Sequence, residues 1–364
     1  MLLRPKPEIE NLKACPHGGI NYAEMRAAGL TPREVLDFSV CTNPFMPPPG
    51  IKKLLNNTII NQYPDSEATE FRQLLSERLG VPPDNILAGS GTTELIRLIA
   101  LTYFRQDDSI LILEPTYGDY EVACHIVGAK PVKLWGRAGD NFVPGIEEAT
   151  RIIRQCRPRG VFICNPNNPT GKYFSQQEVE RILDTIDDGI LILDEAYITF
   201  IEANWPSMEL ISRGNAAILR SMTKDYGLAG LRLGYAIANT EIINSLRRVC
   251  PPWSVNALAQ KAGVMALEAV DYLERTKRKI RKAKQFLIDE LSRLGFKTLP
   301  SDANFFLVRV GNAGVFRTNL LKHGILVRDC TSFGLPEYIR LAPLTMPECQ
   351  KLIGIVRSLK HEGE

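Results

Sequence analysis

Residues 219–235, LRSMTKDYGLAGLRLGY, set one lysine, Lys224, just past a short apolar run and upstream of Arg232 among glycines. Hydroxyls stand beside it at Ser221 and Thr223. A lysine so placed is either a solvated surface cation or a partly desolvated amine whose lowered pKa suits Schiff-base chemistry. Ser221 and Arg232 on either side are two donors suited to a phosphate.

The apolar run before Lys224, residues 217–219, is one of a series at 110–113, 131–135, 161–164, 190–193 and 235–238. Segments of helical periodicity lie between several of them, notably 94–104 and 177–186. Strands alternating with helices predict an α/β fold with a mainly parallel sheet covered on both faces, in which ligands sit beyond the carboxyl ends of the strands. After residue 256 the pattern changes to one long helical stretch, 257–294, closed by Gly295, then the strand-like NFFLVRV of 304–310 and a final helix over 346–359. This divides the chain into a large domain at 50–256 and a smaller α+β domain at 257–364. Residues 1–49, running into the proline-rich NPFMPPPG, read as an arm that contributes to the small domain.

The chain has 364 residues, enough for one large domain with a companion. Its net charge of +3 is too slight to draw a nucleic acid or an anionic membrane, so any anion must be met locally. The densest basic run, ERTKRKIRKAK at 274–284, carries Ile280, Ala283, Leu287 and Leu291 at helical spacing and reads as a solvated helix face. Eight cysteines without any CxxC read as buried free thiols. The first residues lack an apolar core for export and no window suits a membrane span, so a reducing cytoplasm is expected. The histidines at 17, 125, 323 and 361 show no HxH or HExxH spacing, and no metal site is expected.

Three further segments follow strand ends: AGSGTTE at 88–94, NPNNPTG at 165–171 and DEAY at 194–197. The first opens a helix, where Ser90, Gly91 and Thr92 let backbone N–H groups and hydroxyls approach an anion. It lacks the third glycine of GxGxxG and the GK[ST] of a P-loop, which argues against dinucleotides and nucleoside triphosphates.

In order and spacing these four segments resemble the fold-type I, aspartate-aminotransferase-like family of pyridoxal phosphate enzymes, over nearly the whole chain. The resemblance implies pyridoxal 5′-phosphate as cofactor, with Lys224 as the Schiff-base lysine and later proton shuttle. Asp194 corresponds to the aspartate paired with the pyridinium nitrogen, Tyr197 and Asn168 to donors toward the ring hydroxyl, and Tyr117 of EPTYGDY to the aromatic stacked on the ring. Gly91, Thr92, Ser221 and Arg232 correspond to the phosphate cup. Tyr63, in QYPDSEATEFRQLL, corresponds to a tyrosine that reaches the cofactor phosphate of the neighbouring subunit, implying a homodimer with shared sites. With Lys224, Asp194 and Arg232 intact, a silent binding protein is disfavoured against an enzyme.

On the substrate side, Arg328 in ILVRDC and Arg340 in YIRLAP match two arginines of the histidinol-phosphate aminotransferase branch and imply a phosphorylated amino acid or amine. The HGG at 17–19, the threonine before Lys224 and the PPWSVNALA at 251–259 resemble the threonine-phosphate decarboxylase family of that branch. The expectation is therefore decarboxylation of an O-phospho-L-amino acid, L-threonine-O-3-phosphate, to aminopropanol phosphate for cobalamin. Phosphoserine decarboxylation and transamination of histidinol phosphate are the alternatives. His17 and Gly18 are expected at the substrate phosphate, with Asn168 also facing substrate. Cys41, in DFSVCTNP, stands where that decarboxylase family has a substrate-contacting asparagine, and a thiol is a poor replacement for an amide.

Overall fold

The computed structural model describes residues 3–10, 12 and 14–362. In chain order its strands are β1 (Leu36–Asp37) from the arm, then β2 (Ile86–Gly89), β3 (Ser109–Glu114), β4 (Lys130–Trp135), β5 (Gly160–Cys164), β6 (Ile190–Asp194), β7 (Ala216–Ser221) and β8 (Gly234–Ala238). The C-terminal part adds β9 (Lys297–Thr298), β10 (Phe306–Arg309), β11 (Ile325–Leu326), β12 (Arg328–Asp329) and β13 (Tyr338–Leu341). The seven strands β2 to β8 form one sheet in the order β2-β8-β7-β6-β5-β3-β4. All run parallel except β8, which is antiparallel to both of its neighbours.

The reason lies in composition. Strands GVFIC and ILILD are buried along their whole length, as a strand covered on both faces must be. The edge strand β4, KPVKLW, is instead partly or fully exposed along its length and carries a proline and two lysines, which discourage further pairing. Helices Ile146–Cys156, Gln176–Leu183 and Ala257–Glu268 cover one face through residues such as Ile153, Ile182 and Ala262. Helices Thr92–Tyr103, Asp119–Ile126 and Thr240–Val249 cover the other through Ile96, Tyr120 and Leu246. Ser175 and Glu178 form a reciprocal capping box that fixes where the second of these helices begins.

The 257–294 stretch is not one helix. It breaks at Ala269 (φ −80, ψ 64) into Ala257–Glu268 and Val270–Arg293. The first helix serves the large-sheet core, and the second begins in that core through Tyr272 and ends in another. Ala259, Ala262 and Ala266 pack on the large sheet, whereas Ala283, Leu287 and Leu291 pack with Phe306 and Ile339 in the C-terminal core. The change of core thus falls inside Val270–Arg293, later than the 256/257 division. Most basic residues of this helix lie opposite the buried Ile280, Ala283 and Leu287, but Lys284 departs from the expected solvated face, donating to the Ser301 and Ala303 carbonyls, each at 2.6 Å. Strands β12-β13-β10-β9 form an antiparallel sheet, and β1 of the arm pairs in parallel with β11. Among the described residues no helix is long and apolar enough to cross a membrane.

Candidate active site

Parallel register brings the chemistry to one edge. Cys164 of β5 lies beside Asp194 of β6, and Asp194 beside Leu219 of β7, so the loops that follow them open on a common space. Asp194 ends its strand with 3% of its surface exposed. One carboxylate oxygen accepts from the Tyr120 hydroxyl at 2.8 Å and the other from the Ala196 N–H at 3.1 Å. Burial pushes this carboxyl up to about 6, although both hydrogen bonds and the nearby Lys224 ammonium oppose the shift. Lys224 sits one turn beyond β7, in the short helix Met222–Asp225. Burial lowers its pKa, Arg340 and Arg232 act in the same direction, and Cys41 and Asp194 oppose them. Its Nζ lies 5.9 Å from the centre of the Tyr197 ring, which packs edge-on against Phe305 at 4.9 Å.

At one end of this space the helix Thr92–Tyr103 begins at Gly91, whose φ is +79. A Cβ there would lie 2.7 Å from Arg232 Nη2, so any other residue would push on the guanidinium as well as strain the backbone. Ser221 exchanges a hydrogen bond with Thr223 at 2.7 Å nearby. A helix N-terminus, a hydroxyl and a guanidinium together make an anion cradle. Tyr117 bonds Thr93 through its hydroxyl at 3.0 Å, and its own acidity is suppressed by burial. Beneath it lies Tyr120, edge-on to Tyr117 at 5.6 Å and stacked on Phe162 at 4.6 Å. Reading the sequence overlooked Tyr120. The available signal was its spacing three residues after Tyr117 on a helix that starts at Asp119.

At the other end, Arg328 and Arg340 lie directly opposite one another on β12 and β13. Both are buried, at 9% and 5% exposure. Two cations facing each other across a strand pair are unfavourable without an anion between them. Their partners are neutral. Arg340 donates to the Asn168 side-chain oxygen and, at 2.7 Å, to the Ser39 carbonyl, while its Nε is buried without a partner. Arg328 donates to the Pro16 carbonyl and the Ser332 hydroxyl, each at 2.7 Å.

The arm closes this end. A Cβ on Gly18 would lie 2.6 Å from the Ser39 carbonyl, and the Gly19 N–H donates to the Ser39 hydroxyl at 2.8 Å. Cys41 is buried in the pocket wall beside Tyr197 and Phe305, and burial pushes its thiol up. Asn43 does not face the pocket: its amide donates to the Asp225 carbonyl at 2.8 Å and to Thr276 at 3.0 Å, tying the arm to the chain behind Lys224.

Almost all the residues singled out from the sequence line a single pocket. Gly91 borders it through Arg232. Tyr63 does not belong to it: it stands 78% exposed on the surface, stacked on Trp253 at 4.3 Å. The pocket also takes in Cys15, whose thiol lies close to His17 and Asp119.

The aminotransferase class I and II family model matches residues 33–356. The chain belongs to this family. Its members depend on pyridoxal phosphate, and the residues present fit that group. The Gly91–Arg232 cradle would take the phosphate, the buried Asp194 carboxylate the ring nitrogen, and Lys224 the aldehyde carbon. A histidinol-phosphate aminotransferase from Moorella thermoacetica is 34% identical over 336 residues, 90% of this chain and 86% of its own. In fold, the histidinol-phosphate aminotransferase from Sinorhizobium meliloti in complex with pyridoxal-5′-phosphate matches with a TM-score of 0.88 at 23% identity, covering 99% of both chains. The L-threonine-O-3-phosphate decarboxylase from Porphyromonas gingivalis matches with a TM-score of 0.76 at 27% identity, covering 89% of this chain and 99% of its own.

The expectation of a threonine-phosphate decarboxylase is thereby corrected. Relatives from Moorella to Methanocaldococcus jannaschii, 32–34% identical over most of the chain, are histidinol-phosphate aminotransferases. Of the local features behind that expectation, His17, Gly18 and Thr223 do line the pocket and PPWSVNALA does not. Trp253 of PPWSVNALA is 43% exposed beside Tyr63 and lies outside the pocket of its own chain. Cys41 presents a buried thiol where the decarboxylase pattern needs an amide.

Proposed function

We propose that this protein is an aminotransferase that moves the amino group of histidinol phosphate to a 2-oxo acid such as 2-oxoglutarate, working as a homodimer. The observation that carries the reading is the pair of buried arginines, Arg328 and Arg340, facing each other without a carboxylate at the end of the pocket that holds Lys224. The names of the relatives support the substrate.

Each residue has work that follows from its chemistry. The two guanidiniums, fixed on adjacent strands, bind the phosphate of the amine in one half-reaction and the far carboxylate of the 2-oxo acid in the other. One donor set serves both because each substrate presents a single anion at that end. Bound pyridoxal phosphate supplies an electron-withdrawing ring and carries the amino group between substrates. Asp194 holds a proton at the ring nitrogen. Lys224, its pKa lowered, is deprotonated often enough to take the proton from the amine-bearing carbon and to return one on the opposite half-reaction. Histidinol phosphate has no carboxylate on that carbon, so the proton is the group available to leave. Tyr117 and Tyr197 wall the pocket, and His17 and Gly18 on the arm cover the anion end.

The test is direct. Purified protein given histidinol phosphate and 2-oxoglutarate should form glutamate, with no product when either is omitted. Carbon dioxide release from phosphothreonine, without amino transfer from histidinol phosphate, would overturn the reading.

A further inference from the structure

The mouth of the same pocket carries a second constellation. Cys15, His17 and Asp119 bring one sulfur, one imidazole nitrogen and one carboxylate oxygen within 4.8 Å of one another. His17 Nε2 is 3.5 Å from Asp119 Oδ2. Among the described residues that oxygen has no hydrogen-bond partner within bonding distance, and its residue is only 4% exposed. A cation satisfies such an oxygen, either a protonated His17 or a metal ion held jointly by the imidazole and the carboxylate. Arg97 does not: it is half-exposed and lies 3.9 Å from the other oxygen, Oδ1. Position 118 is adapted to the cluster as well, since a Cβ on Gly118 would lie 2.7 Å from the Cys15 sulfur.

We propose that Cys15, His17 and Asp119 form a site for a zinc-class divalent cation that pins the N-terminal arm over the pocket mouth. Thiolate, imidazole and carboxylate are the donor set zinc prefers, and three protein ligands leave a fourth position for water. A tetrahedral ion with bonds of about 2.0–2.3 Å spaces its ligands about 3.3–3.8 Å apart, so the cluster needs to contract by only about 1 Å. The contraction is accessible because two ligands, in a Cys-x-His pair, ride on the arm, while Asp119 begins a helix packed on the large sheet. On binding, the thiol proton passes to solvent and the metal–sulfur bond replaces it. Thiolate and carboxylate then balance the two charges of the ion. The site shares His17 with the anion end of the proposed substrate pocket, and its metal readouts do not depend on turnover.

The experiment uses the cofactor-loaded protein. Cobalt(II), the spectroscopic stand-in for zinc, should bind one ion per chain and give a thiolate-to-metal charge-transfer band, displaced by zinc chloride. Cys15→Ala should abolish the band and weaken zinc binding at least tenfold, with Asp119→Asn weakening it comparably. Hydrogen exchange at residues 14–20 should slow on adding zinc to the wild type and not to Cys15→Ala. Absence of the band, its persistence in Cys15→Ala, or exchange on the arm that zinc leaves unchanged would each refute the proposal. Because Cys15 is only partly buried, its alanine variant keeps the test sound even if the Asp119 variant folds poorly.

Discussion

At the scale of single residues the site is built against stability. Asp194 is raised from 3.8 to about 6 by burial, which sets a cost on the order of 2–3 kcal/mol on its ionised form at neutral pH. The sign follows from linkage. A carboxyl whose folded pKa is raised helps the fold most below about pH 4 and loses that contribution as pH rises through about 6. Without cofactor, Asp194→Asn should therefore stabilise the protein at pH 7.5 and much less at pH 4.5, while activity is lost. Asparagine retains an acceptor for Tyr120. Urea unfolding of both proteins at the two pH values checks this, and the comparison between variants cancels Asp225, which burial pushes up to about 7 in the same window. Equal effects at both pH values would remove Asp194 as the source of the strain. Arg340→Ala should cost about 2–5 kcal/mol in kcat/KM toward the phosphorylated amine, the scale for removing one partner of a buried charge pair. Steady-state kinetics give the number, and a loss under tenfold would place the anion elsewhere. Lys224, Asp194 and both arginines were legible because their chemistry is tied to short motifs. Tyr120 and the Cys15–His17–Asp119 cluster were not, since a contact between residues 15 and 119 exists only after the arm folds back.

Among the elements, the central strands of the sheet were the most legible. The apolar runs at 110–113, 161–164 and 190–193 became β3, β5 and β6 with one or two residues added, because continuous apolar character is what a covered parallel strand requires. Strand β2, only ILAG, was too short to announce itself, and the break at Ala269 interrupts a stretch whose periodicity continues across it. The junction of β2 with the helix Thr92–Tyr103 yields its own prediction. Gly91 combines a positive φ with a guanidinium where a side chain would begin, so Gly91→Ala suffers both backbone strain and displacement of Arg232. The variant should fold yet release pyridoxal phosphate at least tenfold more readily. Equilibrium dialysis followed by absorbance measures that, and unchanged retention would mean that Arg232 does not complete the cradle. Gly18→Ala offers a contrast, because its added carbon meets the Ser39 carbonyl at the substrate end. It should raise KM for the phosphorylated amine and leave cofactor retention intact.

For the whole molecule, the surface around Tyr63 calls for a partner. Ile60 is 90% exposed, Ile59 55%, Tyr63 78% and Trp253 43%, an apolar group that water would not favour on an isolated chain. Trp253 holds a positive φ of 58 while stacking on Tyr63, so the pair is presented outward and not folded into its own core. If Tyr63 reaches the phosphate cradle of a second copy, each site needs Lys224 from one chain and Tyr63 from the other. Lys224→Ala homodimers should then be inactive and Tyr63→Ala homodimers poor in cofactor, whereas mixing the two restores one native site in each heterodimer. Random reassortment makes half of the dimers mixed, and each carries half the native sites, so about a quarter of wild-type activity should return. Activity no greater than the average of the two parents would mean that Tyr63 serves its own chain or none, and the exposed group would then have to be explained by contacts that leave the cofactor untouched.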